Sequence, residues 1–265
     1  MLGEGERELF ASGRAPCVVA LHGFGGTAAE LRPLLDAIAQ AGFALDAALL
    51  PGHGTRVEEL QEATFAGWLE AARDRARAAL RRHGRVVLLG FSLGSLLAME
   101  LASERPEGLA GLVVLGSALT LRFPTGAALA LCERLGRPAP DVYLLKPRAG
   151  DLVDPAAMHT LVTYDRHPLR SALEVYRAGA RVRALVGRIA CPTLILHGRR
   201  DAVCSWRNAA WLAERIGAED VSVRVFERSA HVLACDGERD AVAGEVTAFV
   251  ERLAPRSASR SRTTT

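Results

Sequence analysis

A serine stands between two glycines in Gly90-Phe91-Ser92-Leu93-Gly94, after the apolar run 86–89 and before the helix-like stretch 95–104. A serine hydroxyl is too weakly acidic to attack a carbonyl unaided. It needs a base to take its proton, a carboxylate to orient that base, and donors for the oxyanion that forms. The pattern G-x-S-x-G puts a serine on a strained strand-to-helix turn, with the helix N-terminus and its unpaired N–H groups close by. Taken alone, these five residues fit a glycine-rich turn with an ordinary serine about equally well.

Other stretches carry the missing parts. His22-Gly23-Phe24-Gly25-Gly26 ends an apolar run and leads towards a helix, like a loop that donates backbone N–H groups to an oxyanion. In that reading the N–H groups of Phe24 and Leu93 are the two donors. A phosphate-binding loop is the weaker alternative, since neither G-x-G-x-x-G nor G-x-x-x-x-G-K-[ST] occurs. Asp201 follows the run 192–198, and His231 follows the run 221–227. The order Ser92, Asp201, His231 is the one in which an acid and a base follow a serine on such turns. Asp151, Asp154 and Asp165 compete in composition only. His22 and His197 end strands before glycine, which suits structural hydrogen bonding. His53, in Pro-Gly-His-Gly, lines the cleft at most.

These residues need elements to position them. Apolar runs at 17–23, 43–50, 85–91, 111–117, 192–198 and 221–227 read as strands. Several are apolar at consecutive positions, as strands covered on both faces are. Helical patterns separate them. Residues 27–42 open with Thr27 and Glu30 at capping-box spacing, but Pro33 conflicts with a regular helix from Thr27. Residues 64–83 run from a cap-like Thr64 to a basic last turn and Gly84. Strand–helix alternation predicts a doubly wound, mostly parallel α/β sheet. Ser92, Asp201 and His231 then all lie beyond carboxyl ends of strands, where such sheets bind ligands.

Residues 118–186 interrupt the alternation. They hold six prolines and no clear strand, with short helical patterns near 126–136 and 169–186. We read an α/β domain over 1–254, with a helical cap inserted at about 118–186.

Composition narrows the classes. At 265 residues, 49% hydrophobic and 24% charged, one globular domain is expected. No apolar run approaches the ~20 residues of a membrane span, and the first sixteen residues lack a signal-peptide core. The expectation is a cytoplasmic protein without stable membrane insertion. Five scattered cysteines without a C-x-x-C pair argue against a disulfide framework and a structural zinc site. The net charge of +3 equals the three arginines in residues 255–265, Arg256, Arg260 and Arg262. The rest is formally neutral, so the basicity belongs to a tail expected to be disordered, and no nucleic-acid partner is implied.

With these residues in hand, the chain resembles an α/β-hydrolase of the capped carboxylesterase and monoacylglycerol-lipase type, in the serine aminopeptidase S33-like group. The resemblance runs from about Pro16 to Leu253. It rests on LHGFGGTAAELRPL, PGHGTRVEEL, GFSLGSLLAMELA, ILHGRRDAVC and SAHVLACDGERDAV. It implies Ser92 as nucleophile, Asp201 as acid and His231 as base, with oxyanion N–H groups from Phe24 and Leu93. It implies no metal or organic cofactor, and a small acyl ester as substrate. Cys204 is similar to a cysteine near the site in monoacylglycerol lipases. Ser95 and Ala230 depart from the pattern, since glycine is common at both places. The same machinery serves thioester, peptide and carbon–carbon bond cleavage and perhydrolysis on this scaffold, and a silent hydrolase-like binding protein is the reading from another class.

Overall fold

The computed structural model describes residues 8–135, 141–146 and 152–255. Seven strands form one sheet: β1 (Leu9–Ala11), β2 (Arg14–Leu21), β3 (Phe43–Ala47), β4 (Val86–Phe91), β5 (Leu109–Leu115), β8 (Thr193–Gly198) and β9 (Val221–Phe226). Their order across the sheet is β1-β3-β2-β4-β5-β8-β9. All pairs are parallel except β1 with β3. The sheet is doubly wound and mostly parallel, as the strand–helix alternation predicts. The antiparallel edge strand β1 is an addition, because three residues are too few to show a period.

Consecutive apolar residues are explained by two cores. Along β4, Val86 and Leu88 pack on one side with α3 (Phe65–His83) and α4 (Leu93–Ser103). Val87 and Leu89 pack on the other with α1 (Arg32–Gln40) and α8 (Arg239–Leu253). Every side chain of this strand is buried, as the period of two demands when both faces are covered.

Local signals act where the sequence places them. A 3₁₀ turn, Ala28–Leu31, precedes α1, which puts Pro33 in the first helical turn, where its missing N–H costs nothing. The Thr27 hydroxyl accepts from the Ala29 N–H at 3.3 Å. The Glu30 carboxylate accepts the Gly23 N–H at 3.2 Å, which ties this turn to the loop after β2. Thr64 caps α3, and Gly84 ends it at φ 70°. A short helix, α2 (Val57–Glu62), lies between β3 and α3.

The chain turns outward after β2 to build β3 and then crosses back to build β4 on the other side of β2. The reversal leaves a crevice at the carboxyl ends of β2 and β4. Between β5 and β8 lie α5 (Thr125–Leu135), β6 (Tyr143–Leu145), a 3₁₀ turn (Pro155–Thr160), β7 (Arg166–Pro168) and α6 (Leu169–Arg183). The expectation of a strandless segment is corrected here: β6 and β7 form a small antiparallel pair, with Leu144 opposite His167. Among the described residues they pair with each other alone, so no alternating pattern was needed to bury a face. Two further helices, α7 (Arg207–Ala213) and α8, flank β9 in sequence. The arginines of the expected tail lie outside the described residues. No helix among the described residues is long and apolar enough to cross a membrane.

Candidate active site

β4 ends at Phe91 and α4 begins at Leu93, so Ser92 alone makes the turn. Its backbone sits at φ 52°, ψ −114°, a region that costs a non-glycine residue on the order of 1–3 kcal/mol. Neighbours hold it there. The Ser92 N–H donates to the Leu115 carbonyl at 3.0 Å, and the Ser95 N–H donates to the Ser92 carbonyl at 3.0 Å. The Ser95 hydroxyl donates to that carbonyl too, at 2.6 Å, and accepts from the Ala118 N–H at 3.4 Å. Ser95 thus ties the turn to the end of β5. Gly90 and Gly94 are set by lack of room. A Cβ on Gly90 would strike the Gly94 carbonyl, and one on Gly94 the Leu21 and His22 carbonyls.

That close approach brings the loop after β2 beside the first turn of α4. Leu93 opens α4, so its N–H has no partner within the helix. Among the described residues, the N–H groups of Phe24 and Leu93 make no hydrogen bond. The loop carrying Phe24 is held from several sides. The Gly25 carbonyl accepts the Tyr164 N–H at 2.9 Å and the Thr163 hydroxyl at 3.1 Å. His22 accepts the Leu50 N–H on Nε2 at 3.0 Å, so its Nδ1–H donates to the Gly23 carbonyl at 2.9 Å. Phe24 stacks on His167 of β7 at 4.6 Å between ring centroids and also meets His53 and Trp68.

Burial pushes the His22 imidazole down to about 4, and that of His53 well below its usual range. The sign of the consequence is definite. The free ring titrates at about 6.5, so on acidification the unfolded chain takes the proton first. Stability from His22 is complete above about pH 6.5 and is lost progressively down to about pH 4, by roughly 3 kcal/mol. Urea unfolding at about pH 7 and about pH 4.5 should show the drop, and His22→Gln should flatten it.

Asp201 follows β8 and is fully buried. Its Oδ1 accepts the N–H groups of Val203 and Cys204, each at 2.8 Å. Its Oδ2 accepts His231 Nδ1–H at 2.8 Å and His197 Nε2–H at 2.9 Å. Burial pushes this carboxyl up, but the charge of His231 and the bonds from both imidazoles outweigh it and hold the group well below the usual carboxylate range. An ionised carboxylate only accepts, so the His231 proton is on Nδ1 and the lone pair is on Nε2. That lone pair faces the Ser92 hydroxyl at 3.0 Å.

The imidazole of His231 packs on Phe91, 4.9 Å between centroids, and on Gly116, where a Cβ would come within 3.4 Å of Nδ1. Its loop is anchored by buried Asp236. That carboxylate accepts the N–H groups of Ala230 at 2.7 Å, Gly237 at 2.9 Å and Asp154 at 2.8 Å. Asp236 therefore ties the loop of His231 to the segment between β5 and β8. Ser92 is 8% exposed and His231 6%, so the site is almost closed over.

The expected residues Ser92, Asp201 and His231 thus stand in one hydrogen-bonded chain, and Phe24 and Leu93 stand at neighbouring strand ends. Of the competing acids, Asp154 is engaged elsewhere and Asp165 is exposed. Asp154 accepts from the Ala156 N–H and pairs with Arg239. The Asp165 carbonyl accepts the Lys146 N–H; Asp151 lies outside the described residues. Among the described residues, one cluster has metal-capable donors close together: Asp201, Cys204 and His231, all within 4.8 Å. Cys204 itself is fully buried.

The family model described as serine aminopeptidase, S33, matches residues 14–238, a span that takes in this whole arrangement. The chain belongs to that family. Among its relatives is a thermostable monoacylglycerol lipase of Bacillus sp. (strain H-257), 28% identical over 232 residues, 88% of this chain and 89% of the relative. A carboxylesterase of Bacillus subtilis (strain 168) is 23% identical over 238 residues, 89% and 92% of the two chains. A solved structure from work on LipS and LipT, two metagenome-derived lipolytic enzymes, superposes with a TM-score of 0.84 at 26% identity. It covers 95% of this chain and 100% of that one. The Paleococcus ferrophilus monoacylglycerol lipase superposes at 0.79 with 21% identity, over 93% and 98% of the chains, and speaks for the fold.

Proposed function

We propose that this chain cleaves carboxylic esters through an acyl-enzyme, with Ser92 as nucleophile, His231 as base and Asp201 as the acid that orients it. The observation that carries this is the unbroken run from Ser92 Oγ to His231 Nε2, 3.0 Å, and from His231 Nδ1 to Asp201 Oδ2, 2.8 Å, on a strained turn. Ester hydrolysis as the activity rests on the family and on the relatives named monoacylglycerol lipase and carboxylesterase. The residue roles and the substrate are our reading.

Ser92 Oγ attacks the carbonyl carbon while its proton passes to His231 Nε2. The carbonyl oxygen becomes an oxyanion within reach of the Phe24 and Leu93 N–H groups, a kind of donor worth about 10²–10³ in turnover each. Nε2–H then protonates the departing alcohol. Water, deprotonated by the same nitrogen, frees the acid. Asp201 stays ionised throughout.

We take the substrates to be short- to medium-chain acyl esters or monoacylglycerols. Supporting this, the segment between β5 and β8 contributes Leu129, Leu169, Ala172 and Leu173 to an apolar cluster that Phe24 packs against, and acyl pockets are mainly apolar. We assign residues 118–186 the role of a cap over the crevice, held to the oxyanion loop through Thr163 and Tyr164.

Hydrolysis of p-nitrophenyl esters from acetate to palmitate, with monoacylglycerols alongside, tests the reading. The expected result is turnover that peaks at a short or medium chain. Fluorophosphonate labelling of Ser92 without hydrolysis of any ester would keep the machinery and move the bond to a thioester, peptide or carbon–carbon bond. Neither turnover nor labelling would leave a hydrolase-like binding protein.

A further inference from the structure

Two imidazoles share one carboxylate oxygen. Asp201 Oδ2 accepts from His231 at 2.8 Å and from His197 at 2.9 Å. His197 is the penultimate residue of β8, four before Asp201, and its side chain is fully buried. Oδ2 can only accept, so the His197 proton lies on Nε2 and Nδ1 is a lone pair. Among the described residues that Nδ1 has no hydrogen-bond partner. The bond to Asp201 is therefore the one polar contact of this ring. A buried imidazole with an unmet nitrogen costs stability that an apolar side chain of the same size would not. Packing alone gives no reason for a histidine here; the carboxylate does.

We propose that His197 is a positioning residue: it holds Asp201 with Oδ2 turned to His231 and draws off part of that oxygen's charge. This rests on the reading of Ser92, His231 and Asp201 given above. The four N–H groups on Asp201 leave its carboxylate one orientation, and without His197 the Oδ2 side is held by His231 alone. Charge sharing has a second consequence. With the His197 donor gone, the full carboxylate charge falls on His231 and favours its protonated form, which cannot take the Ser92 proton. Among the described residues, the Cys204 thiol, within 4.8 Å of both, and the Arg122 guanidinium, which donates to the Asp201 carbonyl at 2.8 Å, also face this pair. Both remain when His197 is changed.

The rate at which a fluorophosphonate labels Ser92, followed against pH, tests this without assuming a bond. His197→Phe keeps a ring and removes the donor; His197→Gln keeps an N–H donor. His197→Phe should label roughly 10–100-fold more slowly at neutral pH, by analogy with losing the hydrogen-bond partner that orients a metal-ligating histidine. Its acid limb should move to higher pH. His197→Gln should stay within a few-fold of the unchanged protein. Where an ester is turned over, the loss should fall on kcat and leave KM near its original value. A Phe variant that labels at the original rate with the original limb overturns the proposal and makes His197 a packing residue. An unchanged protein that fails to label at Ser92 overturns the proposed function instead. Nitrogen-15 NMR of the histidines needs no variant: Nε2–H on His197 with a slowly exchanging proton is expected, and Nδ1–H would overturn the inference.

Discussion

Ser92→Ala should lower ester turnover by up to about 10⁶-fold and leave the fold standing. The hydroxyl is the atom that attacks, so His231 and Asp201 remain in place with nothing to activate. What survives comes from the oxyanion donors and substrate binding, about 10³–10⁴ over water. The structural cost is small. Among the described residues, Ser92 Oγ bonds to His231 Nε2, and losing one such bond costs about 0.5–1.5 kcal/mol. The turn itself depends on backbone bonds to Leu115 and Ser95, which alanine keeps. Alanine also inherits the strain at φ 52°, whereas glycine does not. Ser92→Gly should therefore melt at a higher temperature than Ser92→Ala, with both equally inactive. Turnover, fluorophosphonate labelling and thermal melts separate the chemistry from the strain. Near-normal turnover in the alanine variant would mean that Ser92 is not the nucleophile.

Asp201→Asn should lower turnover by about 10⁴-fold, because it reverses a tautomer without moving a ring. Oδ1 of the amide can still accept the Val203 and Cys204 N–H groups. The other branch becomes an NH₂ that faces His197 Nε2–H and His231 Nδ1–H, donor against donor. Each imidazole then does better by moving its proton to the far nitrogen. For His231 this puts the proton on Nε2, opposite the hydroxyl it should deprotonate. For His197 it puts an N–H on the buried Nδ1, which has no partner among the described residues, at about 1–3 kcal/mol. The pH dependence follows from the sign. The Asp201 carboxylate titrates below its free value, so its contribution to stability is complete above about pH 4 and lost as pH falls towards the folded value. The asparagine variant should lack that part of the acid decline. Turnover and urea unfolding below about pH 4 check both halves, and unchanged turnover would remove Asp201 from the mechanism.

The legible parts of this protein were those governed by local rules. The caps at Thr64 and Gly84, the consecutive apolar residues of β4 and the turn around Ser92 each follow from a few adjacent residues. So does the order of Ser92, Asp201 and His231, because every strand in a parallel sheet ends on the same edge. Short pieces were not legible. Leu9–Ala11, Tyr143–Leu145 and Arg166–Pro168 are three residues each, and Val57–Glu62 is little more than one helical turn. Nor was it legible that Glu30 would accept from a loop seven residues back.

By itself the sequence determined the sheet's polarity, the strained turn and the residue types that meet above it. Periodicity and steric exclusion act over a few residues, so they are written locally. Only the tertiary structure decided which buried polar groups become partners. His197 finds Asp201 because the chain turns back just after β8, where the Asp201 N–H donates to the Gly198 carbonyl. Asp236 links the loop of His231 to residues 153 and 154, more than eighty positions away. A buried donor or acceptor must find a partner or lose stability, and which partner lies in reach is a property of the packed chain.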